Sequence, residues 1–504
     1  MGPITRIAIA PLIVLSAWVS AAKAGDFQNG QAARAVIGQP SFSSRSEGIA
    51  ATAMSISNGR LYVADSANQV LTFDLSEMPD AKDDADRTSA SCSVCGFNPV
   101  MSIPQAVMPT AAAVSVRGKS VVVADPATHR VLIWHDTGIA GSGNEPDVVL
   151  GRSANETGVS MMNPISVAYD GKRLFVGDGI LHRVFIWNGL PASDAQPADA
   201  ILGQPVLGQS GANSGGEADG PAADTIGLPS ALASNGTELF VADRTNGRIL
   251  VFTPGDTTLG STQIKNSATL LSGPLAGGTL ITVGGSFADT SAVAPDDARE
   301  LPNKLAGVTI SMNGSSIPLL AAGPVEIRAQ VPYSFGGTSS ASFYIRTEHS
   351  DGTVTITNAV ALRVQPVAPG LFAFGGAEPR TGMLLHSSGS RTSKGVPLTA
   401  GDAAAPGDVI TVWATGLGVV DQTDADTTDN ENASAPVLNQ VRASINNQPA
   451  EVTSAVLPKG SWGIYEVRIV LPSDLRPDPK ALLIISQAGT ASNAVTFPLG
   501  NGIQ

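Results

Sequence analysis

Aromatic, charged and metal-binding residues are all scarce in this 504-residue chain. Aromatic residues make up 5% and charged residues 14%, with five His and two Cys. The formal net charge is −13, and no cluster of Lys and Arg suits a phosphate backbone or an anionic membrane surface. Catalytic serine elbows, zinc-protease helices, Walker loops and dinucleotide fingerprints are also missing from the sequence. Composition therefore excludes nucleic acid as an expected partner and gives no direct sign of catalysis.

A long apolar run occurs once, at the N-terminus. Arg6 precedes an apolar stretch from Ile7 to Val19, and Ala22-Lys23-Ala24 provides a small-x-small cleavage site. The alternative is a membrane anchor, but the run is shorter than the roughly 20 residues that span a bilayer. Residues 1–24 are therefore predicted to be a signal peptide. We expect a secreted, periplasmic or cell-surface protein, with no membrane insertion after cleavage.

Glycine and proline are abundant, with 54 Gly and 34 Pro. Glycine supplies positive φ and proline fixes turns, so this composition favours many short strands joined by tight turns. The length is too great for one ordinary core. The sequence therefore predicts an all-β chain of about three domains.

A repeated pattern organises the first half of the chain. Four apolar strands end in aspartate and are spaced 60, 53 and 65 residues apart, at Leu61–Asp65, Val121–Asp125, Leu174–Asp178 and Leu239–Asp243. Each follows a Gly-containing turn and precedes a second apolar strand, which is typical of hairpins. A fourth-strand phrase occurs at 148–151 and 200–205, and again at 35–40, before the first repeat. The pattern predicts a four-bladed β-propeller over residues 30–255, closed by the N-terminal strand, with a divergent fifth blade as the alternative.

These repeats resemble NHL repeats of the secreted bacterial type. The resemblance is carried by Thr128-His129-Arg130-Val131, by Leu181-His182-Arg183-Val184 and by the Leu-Gly-Gln-Pro phrase at 202–205. It covers roughly residues 30–255 and implies a propeller. Function stays open, because propellers of this type include binders, receptors and a few enzymes.

After a predicted linker at 256–268, the chain contains a duplication. Residues 277–283, 308–314 and 325–332 are similar to 406–412, 441–447 and 465–472, and they alternate apolar and polar residues as half-buried strands do. The pattern predicts two β-sandwiches, at 269–366 and 367–500. The pair resembles the tandem immunoglobulin-like (IPT/TIG-like) C-terminal domain of uncharacterised acidobacterial extracellular proteins, through Val367–Phe372, Ala405–Gly418 and Ser492–Thr496. Such modules imply a spacer or adhesion role.

Two histidines are the candidate metal ligands. His129 and His182 each lie four residues after the repeated aspartate, so both could approach one face of the ring. Some NHL-type lyases hold zinc with histidines from separate blades, but Gln69 and Gly247 take this position in the other repeats. Catalytic zinc normally needs three protein ligands. A structural role within the repeat is the competing interpretation, and it is preferred.

The remaining candidate sites are also predicted to have structural roles. Cys92 and Cys95 are predicted to form a tight loop disulfide in an exported protein. The repeated aspartates are expected to cap turns. Acidic loops at 421–431 and 83–86 could supply oxygens to calcium but lack the spacing of a defined site.

The sequence favours a non-catalytic extracellular binding or scaffolding protein, with no defined cofactor. Propeller loops would form the recognition surface, with the Gly-rich segment Gln209 to Gly227 as one candidate, and a secreted protein or glycan would be the partner. The alternative is a metal-dependent propeller enzyme of lyase or lactonase type, with its site at the ring centre. A purely architectural matrix component is a third possibility.

Overall fold

The computed structural model describes most of the chain. The described residues are 25–44, 48–57, 59–66, 69–75, 101–104, 113–135, 146–151, 161–194, 196–214, 220–295, 300–388, 395–421, 435–458 and 460–500. The predicted signal peptide, Cys92, Cys95, residues 83–86 and residues 422–431 lie outside them. Within these ranges the protein is all-β, as predicted, and its helical turns are short 3-10 segments at Pro126–Thr128, Ala212–Ser214, Arg244–Asn246, Ser261–Gln263 and Tyr333–Gly337. No helix of the described part is long and apolar enough to cross a membrane.

The first half of the chain, here called the repeat region, forms four antiparallel four-stranded sheets. In chain order its strands are β1 (Ala35–Ile37), β2 (Ala51–Ser57), β3 (Arg60–Asp65), β4 (Gln69–Asp74), β5 (Met101–Pro104), β6 (Val114–Arg117), β7 (Ser120–Asp125), β8 (Arg130–Trp134), β9 (Val148–Gly151), β10 (Pro164–Tyr169), β11 (Leu174–Asp178), β12 (Arg183–Trp187), β13 (Ala200–Leu202), β14 (Pro229–Ser234), β15 (Leu239–Asp243) and β16 (Arg248–Phe252). Repeat sheets 1 to 3 are β2–β5, β6–β9 and β10–β13, each in sequential order. Repeat sheet 4 has the order β1-β16-β15-β14.

The predicted hairpins are present in every repeat sheet. The glycines of the predicted turns, at 59, 118, 171 and 236, all have positive φ between +59° and +94°. L side chains rarely adopt that conformation, so glycine is the residue that lets each first strand reverse into the second.

The N-terminal strand completes repeat sheet 4. Strand β1 pairs antiparallel with β16, with Ala35 opposite Val251 and Ile37 opposite Ile249. The pairing expected from the third copy of the fourth-strand phrase is therefore confirmed. It joins residues more than 200 positions apart in sequence and covers an edge strand that would otherwise be open to association.

Repeat sheet 3 touches sheets 2 and 4, and sheet 4 touches sheet 1, through their first strands. Strand β10 lies beside β6 and β14, and β14 lies beside β2. Serine hydroxyls cross these contacts: Ser166 Oγ donates to Pro229 O (2.7 Å), and Ser230 Oγ donates to Ala51 O (2.6 Å). Small hydroxyl side chains thus satisfy strand carbonyls where two sheets converge.

Residues 264–363, here called the middle sheet pair, form two sheets packed face to face. Their strands are β17 (Ile264–Asn266), β18 (Leu280–Gly284), β19 (Ala292–Val293), β20 (Val308–Met312), β21 (Ser315–Ser316), β22 (Leu319–Ala322), β23 (Glu326–Gln330), β24 (Ser340–Glu348), β25 (Val354–Ile356) and β26 (Val360–Arg363). One sheet has the order β17-β18-β23-β22-β19; the other is β21-β20-β24-β25, with β26 also on β24. Ile281, Val283, Ile310 and Phe343 belong to the core between them.

The segment predicted to be a linker packs against this pair. Leu259 is buried, its N–H donates to Asn358 Oδ1 (2.7 Å), and β17 pairs with β18. Several polar groups of residues 256–268 are used in hydrogen bonds, such as Gln263 Nε2 to Gly284 O (2.8 Å), and the linker assignment stays a prediction.

Residues 370–499, here called the C-terminal sheet, form one 11-stranded sheet around a single core. Its strands are β27 (Gly370–Leu371), β28 (Arg380–Thr381), β29 (Leu384–Ser388), β30 (Val409–Thr415), β31 (Ala435–Pro436), β32 (Val441–Ile445), β33 (Gln448–Leu457), β34 (Tyr465–Val470), β35 (Asp478–Gln487), β36 (Thr490–Ala491) and β37 (Val495–Leu499). The main order is β27-β30-β34-β33-β32-β35-β37-β28.

The duplicated segments form corresponding strands in these two parts. Strand β18 pairs with β23 as β30 pairs with β34, and β20 pairs with β24 as β32 pairs with β35. The difference lies in β33, which pairs with both β32 and β34 and so joins the two faces into one sheet. In the middle sheet pair, Pro318 separates β21 from β22 at this place.

The three parts are joined by buried contacts. Residues 25–44 are here called the N-terminal segment. Tyr344, Ile356 and Ala359 of the middle sheet pair belong to the same core as Phe27 and Val36 of this segment. On the other side, Tyr465 of the C-terminal sheet donates to Gly418 O (2.6 Å) and lies 3.3 Å from the Tyr333 hydroxyl. Burial raises the pKa of Tyr333 to about 12 and that of Tyr465 well above its ordinary value.

We expect Asp224→Asn to change how the free energy of unfolding depends on pH. Burial raises the pKa of Asp224 above its ordinary 3.8, and the Arg363 guanidinium, 3.5 Å away, only partly opposes the shift. A raised folded-state pKa favours folding below pH 3.8, and this contribution is lost as pH rises through the folded-state value.

Urea unfolding of the wild type and Asp224→Asn between pH 3 and pH 8 measures this effect. The stability of the wild type relative to the variant should fall as pH rises. A difference that is flat or rises with pH would contradict the assignment. Comparing the two proteins cancels the opposite contribution of carboxylates such as Glu348, whose pKa is lowered by Lys304 and Arg346.

Candidate functional site

The repeated aspartates are the last residues of β3, β7, β11 and β15. The end of each repeat sheet at which they lie is here called the loop end. Asp178 is fully buried and accepts four backbone hydrogen bonds. Oδ1 accepts from Ile180 N (3.0 Å) and Leu181 N (2.9 Å), which is the turn capping expected from the sequence. Oδ2 accepts from Met162 N (2.7 Å) and Asn163 N (3.0 Å), in the segment before β10. One carboxylate therefore fixes two loops.

Asp243 occupies the same place in repeat sheet 4 and is also fully buried. Its Oδ1 accepts from Gly227 N (2.8 Å) and Leu228 N (3.0 Å), which repeats the clamp on the segment before the first strand. Its Oδ2 accepts from Asn246 Nδ2 (2.7 Å) and Arg248 Nε (2.8 Å). A buried carboxylate is tolerated when it is paired and fully hydrogen-bonded, as it is here.

Arg248, its ion-pair partner, is fully buried too. Nη1 donates to Phe42 O, and Nη2 donates to Ala222 O (3.1 Å) and Thr225 O (2.8 Å). Five fixed donors make arginine suited to holding several carbonyls at once. The guanidinium therefore connects the N-terminal segment with the segment before β14.

Arg183 plays the corresponding part in repeat sheet 3, opposite Asp178 in the strand register. Its Nη1 donates to Leu207 O (2.9 Å) and its Nη2 to Gln209 O. Burial lowers the pKa of Arg183, and the charge of Asp178 opposes that shift. Nε of Arg183 donates to Leu181 O (3.3 Å) and not to Asp178, so the direct ion pair of repeat sheet 4 is replaced here by bonds to carbonyls. In repeat sheet 2, Arg130 Nη2 lies 4.0 Å from Asp125 Oδ2, and both side chains are partly exposed.

The glutamine of the fourth-strand phrase completes this network. Gln204 Nε2 donates to His182 O (3.2 Å) and Gly211 O (2.8 Å). Gln39 Nε2 donates to the carbonyl oxygens of Asn246 (3.3 Å) and Gly247 (3.2 Å). The sequence identified the phrase as a strand marker but missed this role. The signal that could have revealed this role is that glutamine recurs directly after a buried strand, where a polar side chain needs a hydrogen-bond partner.

His129 and His182 take equivalent positions in the turns of repeat sheets 2 and 3. Both have left-handed backbone conformations, with φ of +61° and +51°, and Gly247 takes the same conformation (+59°) in repeat sheet 4. Nδ1 of His129 contacts Met162 O, and Nδ1 of His182 contacts Gly227 O. A carbonyl oxygen only accepts, so Nδ1 carries the hydrogen in each. Each histidine thus ties its own sheet to the segment that begins the next one.

This tautomer leaves Nε2 with the lone pair that a metal would use. However, in the described part of the chain, no three His, Cys, Asp or Glu side chains are grouped so that they could hold a metal ion. Zinc binding at His129 and His182 stays a prediction. The predicted Cys92–Cys95 disulfide and most of the two acidic loops fall on residues outside the described ranges, with Asp421 at the edge of one.

Four apolar side chains are exposed around the Asp178–Arg183 pair. They are here called the loop-end cluster, with exposed fractions of 42% for Met162, 51% for Ile180, 55% for Val206 and 65% for Leu207. Asp178 binds the N–H groups of Met162 and Ile180, and Arg183 binds the carbonyl of Leu207. Exposed apolar groups are therefore presented on backbones that buried charged side chains hold in place.

The predicted binding segment Gln209 to Gly227 is partly built into the same network. Asn213 is buried and exchanges two side-chain hydrogen bonds with Asn246, at 2.9 Å and 3.3 Å. Residues 215–219 lie outside the described ranges. The described residues of the segment Gln209 to Gly227 therefore support the loop end through hydrogen bonds.

A carboxylate–histidine–hydroxyl chain on the middle sheet pair was not found from the sequence. Asp289 Oδ1 lies 2.9 Å from His349 Nδ1, and His349 Nε2 lies 2.8 Å from Thr355 Oγ1. A nucleophilic hydroxyl also needs donors for the developing oxyanion. The neighbouring N–H groups of Ser350 and Thr353 already donate to Asp289 and Asp351. The chain of groups therefore ties a hairpin turn to residue 289.

Comparison with known proteins identifies no family. No family model and no curated protein matches the chain. Among solved structures, it is similar to the computationally designed Ika4 protein (13% identity, 43% of this chain, 96% of that chain, TM-score 0.17). It is also similar to Raptor of Chaetomium thermophilum (11%, 43%, 16%, 0.18) and to Sqt1 of Saccharomyces cerevisiae (10%, 40%, 45%, 0.17). The chain spans far less than two thirds of the last two, and TM-scores this low carry no argument about fold or function.

We expect Asp243→Asn to lower the free energy of unfolding by about 3 kcal/mol, because it leaves the buried Arg248 charge uncompensated. The matched control is Asp65→Asn in repeat sheet 1, where the carboxylate is partly exposed and accepts from Ser66 N (2.9 Å). That change should cost less than about 1 kcal/mol. Urea unfolding measures both, and equal losses would contradict the clamp.

Substitutions at His182 separate its backbone role from metal binding. His182→Gly should be more stable than His182→Ala by about 1 kcal/mol, because only glycine adopts the left-handed turn without a steric penalty. Thermal unfolding measures the difference. Equal stabilities would argue against the turn role, and stoichiometric zinc in the wild type that both variants lose would favour a metal site.

Proposed function

We propose that this chain is an extracellular binding or scaffolding protein whose repeat region is an NHL-like β-propeller. Four successive four-stranded sheets, neighbouring first strands and a fourth sheet completed by β1 all support the propeller. The two later parts are proposed to be immunoglobulin-like sandwiches that act as a spacer or attachment. The facing sheets of the middle pair and the duplicated strand pairings support that proposal. Export is proposed from the signal-like residues 1–24.

The loop-end cluster carries the binding proposal. Exposed apolar side chains gain most from association when their backbones are already ordered, because little conformational entropy is then lost. Met162, Ile180 and Leu207 satisfy this condition through Asp178 and Arg183. A partner with an apolar patch, such as a secreted protein, fits this surface better than a fully polar one. A glycan remains a partner for the binding screen.

The alternative is a metal-dependent propeller enzyme of lyase or lactonase type. The single observation in its favour is the tautomer of His129 and His182, which leaves both Nε2 atoms able to bind zinc. Metal content of the purified protein after dialysis against a weak chelator tests it. Near-stoichiometric zinc that is lost in His129→Ala/His182→Ala would support the enzyme, and no retained metal would remove it.

We expect Ile180→Asp/Leu207→Asp to weaken partner binding by at least about tenfold, because charges would replace apolar contacts at a desolvated surface. The matched control is Val293→Asp/Val325→Asp, at exposed valines of the middle sheet pair. Both double variants should keep the wild-type melting temperature. Binding is measured with immobilised protein against secreted proteins and envelope glycans from the source environment. Equal binding by wild type and both variants would contradict the assignment of this surface.

A further inference from the structure

The N-terminal segment departs from the repeat at one position. In repeat sheets 2 and 3 the fourth strand is preceded by Asp147 and Asp199. Their Oδ2 atoms accept from His135 N and Asn188 N, both at 2.7 Å. Before β1, Arg34 stands at the corresponding position. A cation thus replaces the anion that holds this end of the outer strand in repeat sheets 2 and 3.

Arg34 contacts the middle sheet pair. Its guanidinium carbon lies 4.9 Å from the centroid of the Tyr344 ring, and Nη2 donates to Thr357 O (3.1 Å). A cation over a tyrosine face and a charge-assisted bond to a carbonyl are both stronger where water is excluded. Tyr344 is buried, so both contacts lie at the edge of a shared core.

The rest of the N-terminal segment is enclosed by the same two parts. Phe27, Ala32 and Val36 share one core with Ile356 and Ala359 of the middle sheet pair. Ala32 N donates to Ala359 O (3.2 Å). On its other side, β1 pairs with β16. The segment therefore has the repeat region on one side and the middle sheet pair on the other.

A second connection runs through residues 222–225. Ala33 N donates to Ala223 O (2.8 Å), while Ala223 N donates to Ser340 Oγ (3.1 Å) of β24. Nη2 of Arg363 lies 3.5 Å from Oδ1 of Asp224. The carbonyls of residues 222 and 225 are bonded by Arg248, which belongs to the loop-end network. One short segment thus contacts the N-terminal segment, the middle sheet pair and the loop end.

We infer that the middle sheet pair is a lock on the N-terminal segment. Strand β1 cannot leave β16 without breaking the contacts of Arg34 and Ala32 with the middle sheet pair. The β1–β16 pairing and the docking of the middle sheet pair are therefore lost together, as one cooperative unit. Undocking of the middle sheet pair also removes the contacts of Ser340 and Arg363 with the segment 222–225, whose carbonyls Arg248 binds. The lock therefore couples the middle sheet pair to the order of the loop end, whatever the loop end binds.

Amide hydrogen exchange of the full chain, read by mass spectrometry, tests the lock. Arg34→Asp installs the residue that repeat sheets 2 and 3 have at this position and places a carboxylate against Tyr344 and the Thr357 carbonyl. Residues 32–37 and 356–359 should exchange faster together, by about tenfold or more, while β10 to β12 keep their wild-type rates. The matched control, Asp199→Arg, makes the reciprocal change at an exposed position and should alter exchange only near Asn188 and β13.

Ser340→Ala provides a milder variant in case Arg34→Asp does not fold. It removes the bond to Ala223 N but touches no residue of the N-terminal segment through a hydrogen bond. Faster exchange at residues 32–37 in this variant is the expected result. Two results would overturn the lock. In Arg34→Asp, residues 32–37 would exchange faster while residues 356–359 stay protected. In Ser340→Ala, residues 32–37 would keep their wild-type exchange rates.

Discussion

The arrangement of the repeat region depends on the buried ion pair between Asp243 and Arg248. Two charges away from water are stable only if every polar atom finds a partner, and here the partners come from three separate segments. They are the turn after β15, the stretch 222–228 and the residue Phe42 near the N-terminus. The pair therefore specifies where each segment must lie, and a chain that misplaces any of them leaves a buried charge unpaired.

The same device weakens along the chain toward the first repeat. In repeat sheets 3 and 4 the network is complete, with both charged side chains buried and hydrogen-bonded, although only sheet 4 has the direct ion pair. Asp125 and Arg130 are partly exposed, and in repeat sheet 1 the strand register places Gln69 opposite Asp65, where the other sheets have arginine. The loop-end cluster lies at repeat sheet 3, and the segment 222–225 links the loop end of repeat sheet 4 to the middle sheet pair. Ordered backbones and exposed apolar groups thus coincide at repeat sheet 3, which is where we place binding.

Local pattern predicted the elements of the fold better than their connections. Repeated apolar strands and Gly turns predicted the repeat hairpins, and the third copy of the fourth-strand phrase predicted that β1 pairs with β16. The contacts of residues 256–268 were not predicted, because their partners, such as Asn358, lie about 100 positions away. The roles of Gln39, Gln204 and Arg34 were missed for the same reason, since each contacts residues that only the folded chain brings near. Turn capping by Asp178 was predicted, but its second pair of bonds was not, because no local pattern encodes a clamp on an upstream loop.

The most direct test is the hydrogen-exchange rate of the loop amides that the two buried aspartates hold. These are the N–H groups of Met162, Asn163, Gly227 and Leu228, all outside the strands. If the clamps fix the loop end, these amides will exchange as slowly as those of the central strand residues Val176 and Val241. Exchange at the rate of a solvated loop would contradict the account, because the loop end would then be ordered only by its strands.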